Sequence, residues 1–432
     1  MSAPDRLAVP LAAGPVVGIL HPPGSKSLTQ RWLLLAALAQ GTSVIENALR
    51  SDDVEALTLG LRTLGAGVRW SGPAELEVRG VGGRFPGGGL LDAREGGTPA
   101  RFLMAAATLA SRPCVLDGSV RLRKRPMRDG VDLLGSLGCS IRRRGDGELP
   151  LEITPSTVLA GGVMKMRRPA SSQFISAVAL LGPWMRDGLD LQVEGGVPSD
   201  SYVSLTVQCL RRLGVPVTWD PASSRLRVSP GPLKSFTVRV EPDASSAAYG
   251  WAVAALVPGS RVEVPGLPVD SAQPDMAVRS ALLALGAAEA GSSQASGVAH
   301  AGPLAGGVLD AHAWPDGSMA MMAVAAVGHE VLRIEGLATL AAKESDRIEA
   351  MAAWLTPAGA RVQRGTDWIC VQGPLHAAGA VEVHTQRDHR IAMCAAVLGA
   401  VRPGVTVLDP GCVRKSWPGF WTDWSRLLGH EA

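Results

Sequence analysis

A pattern that returns six times sets the limits on what this 432-residue chain can fold into. Small polar residues leading into an Ala-rich apolar run occur at Lys26 (GSKSLTQRWLLLAALA), Thr98 (GGTPARFLMAAATLA), Ser171 (SSQFISAVALL), Ser245 (DASSAAYGWAVAAL), Gly317 (DGSMAMMAVAAV) and His389 (DHRIAMCAAVLGAV), about 73 residues apart. A helix that is apolar nearly all round is buried, so each run predicts a core helix entered through a polar end. A second marker keeps the same phase: amphipathic helices closing at Gly65, Gly138, Gly214, Gly286, Gly359 and Gly429. Two independent markers with one period over the whole chain define a sixfold internal repeat.

Within a repeat the order reads buried helix, strand, amphipathic helix, strand, strand. The first repeat supplies TSVIENA, then SDDVEALTLGLRTLG with Ser51 as its N-cap, then AGVRW and AELEVRG around a Ser-Gly-Pro turn. A helix from Ser201 to Leu213 fills the same place in the third repeat, and RVEVPG, VLRIEG and VTVLDP lead the strands of the last three. Each unit is therefore a small mixed sheet covered by helices, an α/β plan. Six units exceed one hydrophobic core, and three plus three is the natural division. The break falls near FTVRVEPDAS, and the N-terminal AVPLAAGPVVGILH is expected to pair in the second half. The expected domains are residues 23–241 and residues 1–22 with 242–432. If equivalent helix ends face the same way, several of them look into one inter-domain cleft.

Composition narrows the function classes. Charged residues make up 19% of the chain and the net charge is +3, so no global field favours nucleic acid. The basic run RLRKRPMR (Arg121–Arg128) has no interleaved aromatics and runs straight into an amphipathic helix, unlike a nucleic-acid groove. The six cysteines show no C-x-x-C spacing, which predicts buried free thiols in a reducing compartment. Pro10 and Pro15 interrupt the N-terminal apolar stretch, so no signal peptide is read. The buried-helix runs are shorter than a membrane span, and a cytoplasmic protein is expected.

The helix starts are cationic. Lys26, Arg31, Arg101 and Arg390 open buried helices; Arg125, Lys343 and Arg347 stand at the amphipathic ones, and Lys415 in the last repeat. A helix N-terminus offers an anion roughly 0.3–1 kcal/mol, and a charge-assisted hydrogen bond roughly 1.5–3. Side chains, chiefly arginine, should therefore dominate the binding of a small, multiply anionic ligand. Acids stand among these cations. Asp316 opens a buried helix, where it reads as an N-cap, a place compatible with a catalytic role. Glu344 in KESDR could be a salt-bridge partner or an acid/base. Asp388-His389-Arg390 opens the sixth buried helix without a metal-type His cluster, so no metal site is expected. Neither a P-loop nor a dinucleotide fingerprint is present. Met319, Met321 and Met322 read as core. Gly97, just before Thr98 as the capping residue, would let a ligand approach the backbone closely.

Taken in order, GSKSLTQR, GGTPAR, KRPM, SSQF, DASSA, PDGSMA, KESDR, DHRIAMC and VRKSWP resemble the motifs of the 5-enolpyruvylshikimate-3-phosphate synthases, over residues 24–418. The resemblance implies two domains, each of three βαβαββ units about a pseudo-threefold axis. It implies transfer of the enolpyruvyl group of phosphoenolpyruvate to shikimate 3-phosphate with release of phosphate, no cofactor, a monomer, and a site open to glyphosate. Lys26, Ser27, Arg31, Ser171, Ser172, Gln173, Ser199, Tyr202, Asp316 and Lys343 are then expected at shikimate 3-phosphate. Lys26, Gly97, Arg125, Gln173, Arg347, Arg390 and Lys415 are expected at phosphoenolpyruvate. Asp316 would take the hydroxyl proton, and Glu344 would deliver and later remove a proton at the methylene carbon. Glu95, Thr339 and Arg387 stand where the family usually has Asn, and Phe102 also departs from the usual residue. The nearest alternative is a UDP-N-acetylglucosamine enolpyruvyl transferase, whose reactive Cys would precede Arg125; VRLRK holds none. An anion-binding paralogue that has lost activity is the other, and the retained Asp316, Glu344 and Lys26 speak against it.

Overall fold

The computed structural model describes residues 5–374 and 379–430. The six apolar runs form the helices Lys26–Leu38, Gly97–Ala107, Ser172–Leu181, Ala244–Leu256, Ser318–Val327 and His389–Val401. Nearly every residue of each is buried. The first three pack on one another, and the last three likewise, through buried leucines and small residues.

Each repeat brings its own small sheet. In the second, Gly89–Asp92 runs parallel to Cys114–Asp117, which pairs antiparallel with Leu151–Thr154, which pairs with Ser140–Arg143. The third and fifth sheets follow the same order, led by Gly162–Arg167 and Gly307–Asp310. These leading strands are absent from the helix-first reading of the sequence. They are short, and their apolar residues Leu90, Val163 and Val308 point to solvent, which blurs the apolar–polar alternation even where, as in Gly162–Arg167, burial alternates.

The first and fourth sheets borrow their leading strand. Thr237–Arg239 runs parallel to Gln40–Glu46, with Val238 opposite Ile45, and completes the first sheet from the end of the third repeat. Val17–Ile19 runs parallel to Arg261–Pro265 and completes the fourth. The expected pairing of the N-terminal segment with the second half is thus observed. The sixth sheet departs from the plan. Val381–His384 and Val405–Leu408 are joined by Arg6–Ala8 instead of a closing hairpin, and the chain ends in the helix Phe420–Leu427.

By contacts the chain divides into two compact units, residues 24–241 and the described residues on either side of that segment. The six cysteines are free; Cys370 and Cys412 are half-buried and the other four buried. Among the described residues, no helix is long and apolar enough to cross a membrane.

Candidate active site

Within residues 24–241, Lys26 is the first residue of its helix, and its Nζ donates to Asp53 Oδ2 at 3.1 Å. Asp53 Oδ1 lies against Gly96, where a Cβ would come within 2.9 Å of it. Gly96 is the N-cap of the helix Gly97–Ala107. This corrects the reading of Thr98 as the cap: the turn must admit Asp53 and the Pro99 ring at a position where only glycine leaves room. Arg125 lies over the next residue. A Cβ on Gly97 would stand 2.5 Å from its Nη1, 2.7 Å from Cζ and 2.8 Å from Nη2. Its Nε is buried and has no hydrogen-bond partner among the described residues. A guanidinium held on the start of a helix, with a desolvated donor unused, is an arrangement suited to an anion.

Two other arginines in this unit have different work. Arg101 donates to Gln173 Oε1 at 2.6 Å and to the Pro126 carbonyl at 3.2 Å, with its guanidinium 4.8 Å from the Phe174 ring centre. It fixes the Gln173 amide through its oxygen. Arg31 is buried and donates to Thr206 Oγ1 (2.8 Å), the Ser27 carbonyl (2.9 Å), Ser176 Oγ (3.2 Å) and the Tyr202 carbonyl (3.0 Å). Burial lowers its pKa, but arginine keeps its charge. Arg31 therefore clamps three helices and orders Ser27 and Tyr202. Ser171 caps its helix by accepting from the Gln173 N–H at 3.2 Å, and Ser172 is buried one residue on. Ser199, buried with φ +52°, turns the chain into the helix Ser201–Arg212.

In the other unit, charges of both signs interlock. Asp316 Oδ1 meets Lys343 Nζ at 3.0 Å and Arg347 Nη1 at 2.8 Å, and its Oδ2 meets Arg390 Nη2 at 3.3 Å. Gly317, not Asp316, is the N-cap of Ser318–Val327, so the Asp316 side chain serves the ion cluster and not the helix end. Glu344 Oε2 pairs with Arg347 Nη2 at 3.0 Å and its Oε1 with Lys415 Nζ at 2.9 Å. Arg347, 1% exposed, also donates from Nε to Asp388 Oδ2 at 2.8 Å. Asp388 caps its helix through the Arg390 N–H at 3.0 Å and accepts from Ser345 Oγ at 3.0 Å.

Burial alone would raise the pKa of Asp316, but Lys343, Arg390 and Arg347 together hold it well below the usual carboxylate range. For Asp388 burial is likewise outweighed, here first by Arg347, and its pKa is lowered. Burial dominates at Lys343 and lowers its pKa against the pull of Asp316. It also dominates at Asp275, which is pushed up to about 6. With three cations on it, Asp316 is a weak base. An anionic ligand that takes up part of that positive charge would make it a stronger one.

Asp53 and Asp275 escape the sequence reading because each lies in an ordinary amphipathic-helix start. Their shared phase, three repeats apart, was the available signal. Among the residues that depart from the expected pattern, Glu95 and Arg387 are exposed, Phe102 is buried beneath Arg31, and Thr339 Oγ1 is buried with no hydrogen-bond partner among the described residues. No group of His, Cys, Asp and Glu suited to a metal ion occurs among the described residues.

Comparison with known proteins fits this geometry. The fold is that of an EPSP synthase from Acinetobacter baumannii (TM-score 0.82, 24% identity, 98% of each chain covered) and of the enolpyruvyl transferase NikO from Streptomyces tendae (TM-score 0.75, 20% identity, 98% and 97% covered). The chain is 38% identical to a 3-phosphoshikimate 1-carboxyvinyltransferase of Methanoculleus marisnigri, over 94% of this chain and 96% of that protein. It is 35% identical to the enzyme of the same name from Shewanella amazonensis, over 95% and 96%. The family model described as EPSP synthase (3-phosphoshikimate 1-carboxyvinyltransferase) matches residues 11–424, and this chain belongs to that family.

Proposed function

We propose that this chain transfers the enolpyruvyl group of phosphoenolpyruvate to the 5-hydroxyl of shikimate 3-phosphate and releases phosphate. The observation that carries the reading is the Asp316–Lys343–Glu344–Arg347–Arg390–Lys415 cluster, in which carboxylates for proton transfer are interleaved with cations for anionic substrates. In this reading the two compact units are the two three-repeat domains, and both clusters act on one substrate pair. Lys26 serves both substrates. Ser27, Ser171, Ser172, Gln173, Ser199, Tyr202 and Lys343 hold shikimate 3-phosphate, with Arg31 contributing mainly by ordering Ser27 and Tyr202. Arg125 over Gly97, with Gln173, Arg347, Arg390 and Lys415, holds phosphoenolpyruvate.

Substrate anions draw Lys343, Arg347 and Arg390 partly off Asp316, which then accepts the 5-hydroxyl proton. The oxygen bonds to C2 of phosphoenolpyruvate while Glu344 delivers a proton to the methylene carbon. The tetrahedral ketal phosphate that results is stabilised by the surrounding cations. Glu344 then removes a proton from the new methyl group, the C2–O bond to phosphate breaks, the departing phosphate takes the proton held by Asp316, and the enolpyruvyl ether remains. The balance closes without an oxidant or reductant. The transient methyl group gives the test: turnover in D2O should place deuterium in the vinyl group of the product. A product free of deuterium would rule out the addition–elimination route.

A further inference from the structure

Asp275 lies outside every motif singled out in the sequence, yet it is buried with both oxygens engaged. Oδ1 accepts from the Gly317 N–H at 3.1 Å, and Oδ2 accepts from the Ser245 hydroxyl. Oδ2 also stands 4.0 Å from Arg390 Nη2, the nitrogen that lies 3.3 Å from Asp316 Oδ2. Asp275 therefore grips the backbone one residue after Asp316 and shares a guanidinium nitrogen with it.

The internal repeat gives this placement a meaning. In the first repeat Asp53 Oδ1 lies against Gly96, the N-cap of the next buried helix; in the fourth, Asp275 Oδ1 lies against Gly317, also the N-cap of the next buried helix. A Cβ on either glycine would stand 2.9 Å from that oxygen. At the start of its own repeat Asp53 finds Lys26, the first residue of its helix, whereas Asp275 finds Ser245, the second residue of its helix. Ala244 stands where the first repeat has Lys26, so Asp275 meets a hydroxyl instead of an ammonium, and the cation it faces is Arg390.

We infer that Asp275 is a positioning residue for the reaction, setting Asp316 and Arg390 against each other, and that its ionised form is the working one. The inference rests on the roles proposed above for Asp316 and Arg390. Ionised Asp275 draws Arg390 partly away from Asp316 and leaves Asp316 the stronger base; protonated, it loses that pull and Arg390 settles on Asp316. The groups facing Asp275 are Arg390 and the Ser245 hydroxyl, which favour the ionised form, and the Asp316 and Asp243 carboxylates, which oppose it. Lys343 and Arg347 act on it through Asp316. Burial outweighs these and moves its titration to about 6, within the working range of an assay.

The experiment is the pH dependence of kcat and KM for the full chain, for Asp275→Asn and for Ser245→Ala, with the same two substrates. Substrate titrations are common to all three and cancel in the comparison. Asp275→Asn should lower kcat about tenfold, the size of one lost charge-assisted hydrogen bond, with a smaller change in KM. It should also lose the acid limb near pH 6. Ser245→Ala removes a donor that favours the ionised form, so its acid limb should move to higher pH. An Asp275→Asn profile of wild-type shape, or an unmoved limb in Ser245→Ala, overturns the inference. Thermal unfolding reads the same carboxyl without turnover. Its folded pKa is raised, so its ionisation destabilises the fold as pH rises above the unfolded value, and fully so above about 6. The unfolding temperature of Asp275→Asn relative to wild type should therefore rise between pH 5 and pH 7, and a flat difference overturns the inference. Absence of phosphate release by wild type would instead refute the proposed reaction and with it the role of Asp275 in that reaction, while the thermal comparison would still decide on the titration of its carboxyl.

Discussion

Gly97→Ala perturbs the proposed anion site at the start of the second buried helix in a way the structure makes quantitative. The added methyl carbon would stand 2.5–2.8 Å from three atoms of the Arg125 guanidinium. Ordinary contact begins near 3.4 Å, so the guanidinium must retreat by about 0.6–0.9 Å. What retreats is the far end of a flexible side chain, so the cost falls at the low end of the usual overpacking range of about 1–3 kcal/mol. For a compact ligand such as phosphoenolpyruvate that gives about 1 kcal/mol, or ~5-fold in KM. Glyphosate, the longer inhibitor that the family resemblance assigns to this pocket, cannot follow the retreating cation. It should meet the upper end, about 3 kcal/mol or ~150-fold in its inhibition constant. The assay is inhibition against varied phosphoenolpyruvate, repeated in Arg125→Ala and in the double variant. Because the methyl acts through Arg125, the two substitutions should be strongly non-additive. Equal factors for both ligands, or additive effects in the cycle, would refute the reasoning.

Other expectations follow from the ion cluster and the helix starts. Glu344→Gln should cut turnover by orders of magnitude and leave shikimate 3-phosphate binding by calorimetry near wild type, whereas Lys26→Ala should damage both. Arg347→Ala leaves Asp316, Glu344 and Asp388 without their shared buried cation; at about 3–5 kcal/mol for a broken buried pair it should lower the unfolding temperature by roughly 6–20 °C in calorimetry. Asp388 has a lowered pKa, so its stabilising contribution is present above the unfolded carboxylate value of about 4 and is lost as pH falls below it. The difference in unfolding temperature between wild type and Asp388→Asn should therefore be large at pH 7 and shrink below pH 4.

The repeat made much of this molecule legible in the sequence, because a helix such as RWLLLAALA can only be buried and six of them in phase can only be equivalent. What the period could not supply was partnership across long sequence distances. Thr237–Arg239 completing a sheet with Gln40–Glu46 is a pairing of three residues with no pattern of its own. The cations were legible as a set, since arginine at helix starts has a physical meaning. Their division of labour was not: Arg125 lies over Gly97 with a buried donor unused by the described residues, and Arg31, from the same kind of motif, is bound to neutral oxygens of three helices. Asp316 illustrates the same limit. Sequence offers an N-cap or a base, and the structure gives the N-cap to Gly317 and surrounds Asp316 with Lys343, Arg347 and Arg390.

The central claim is that one pair of anionic substrates is joined here at the expense of a phosphate. Phosphate release measured with phosphoenolpyruvate alone, with shikimate 3-phosphate alone and with both tests it most directly. The account predicts release only with both, one phosphate for each enolpyruvyl ether formed, and near-complete loss in Glu344→Gln. Release from phosphoenolpyruvate without shikimate 3-phosphate, or no release with both, would contradict it.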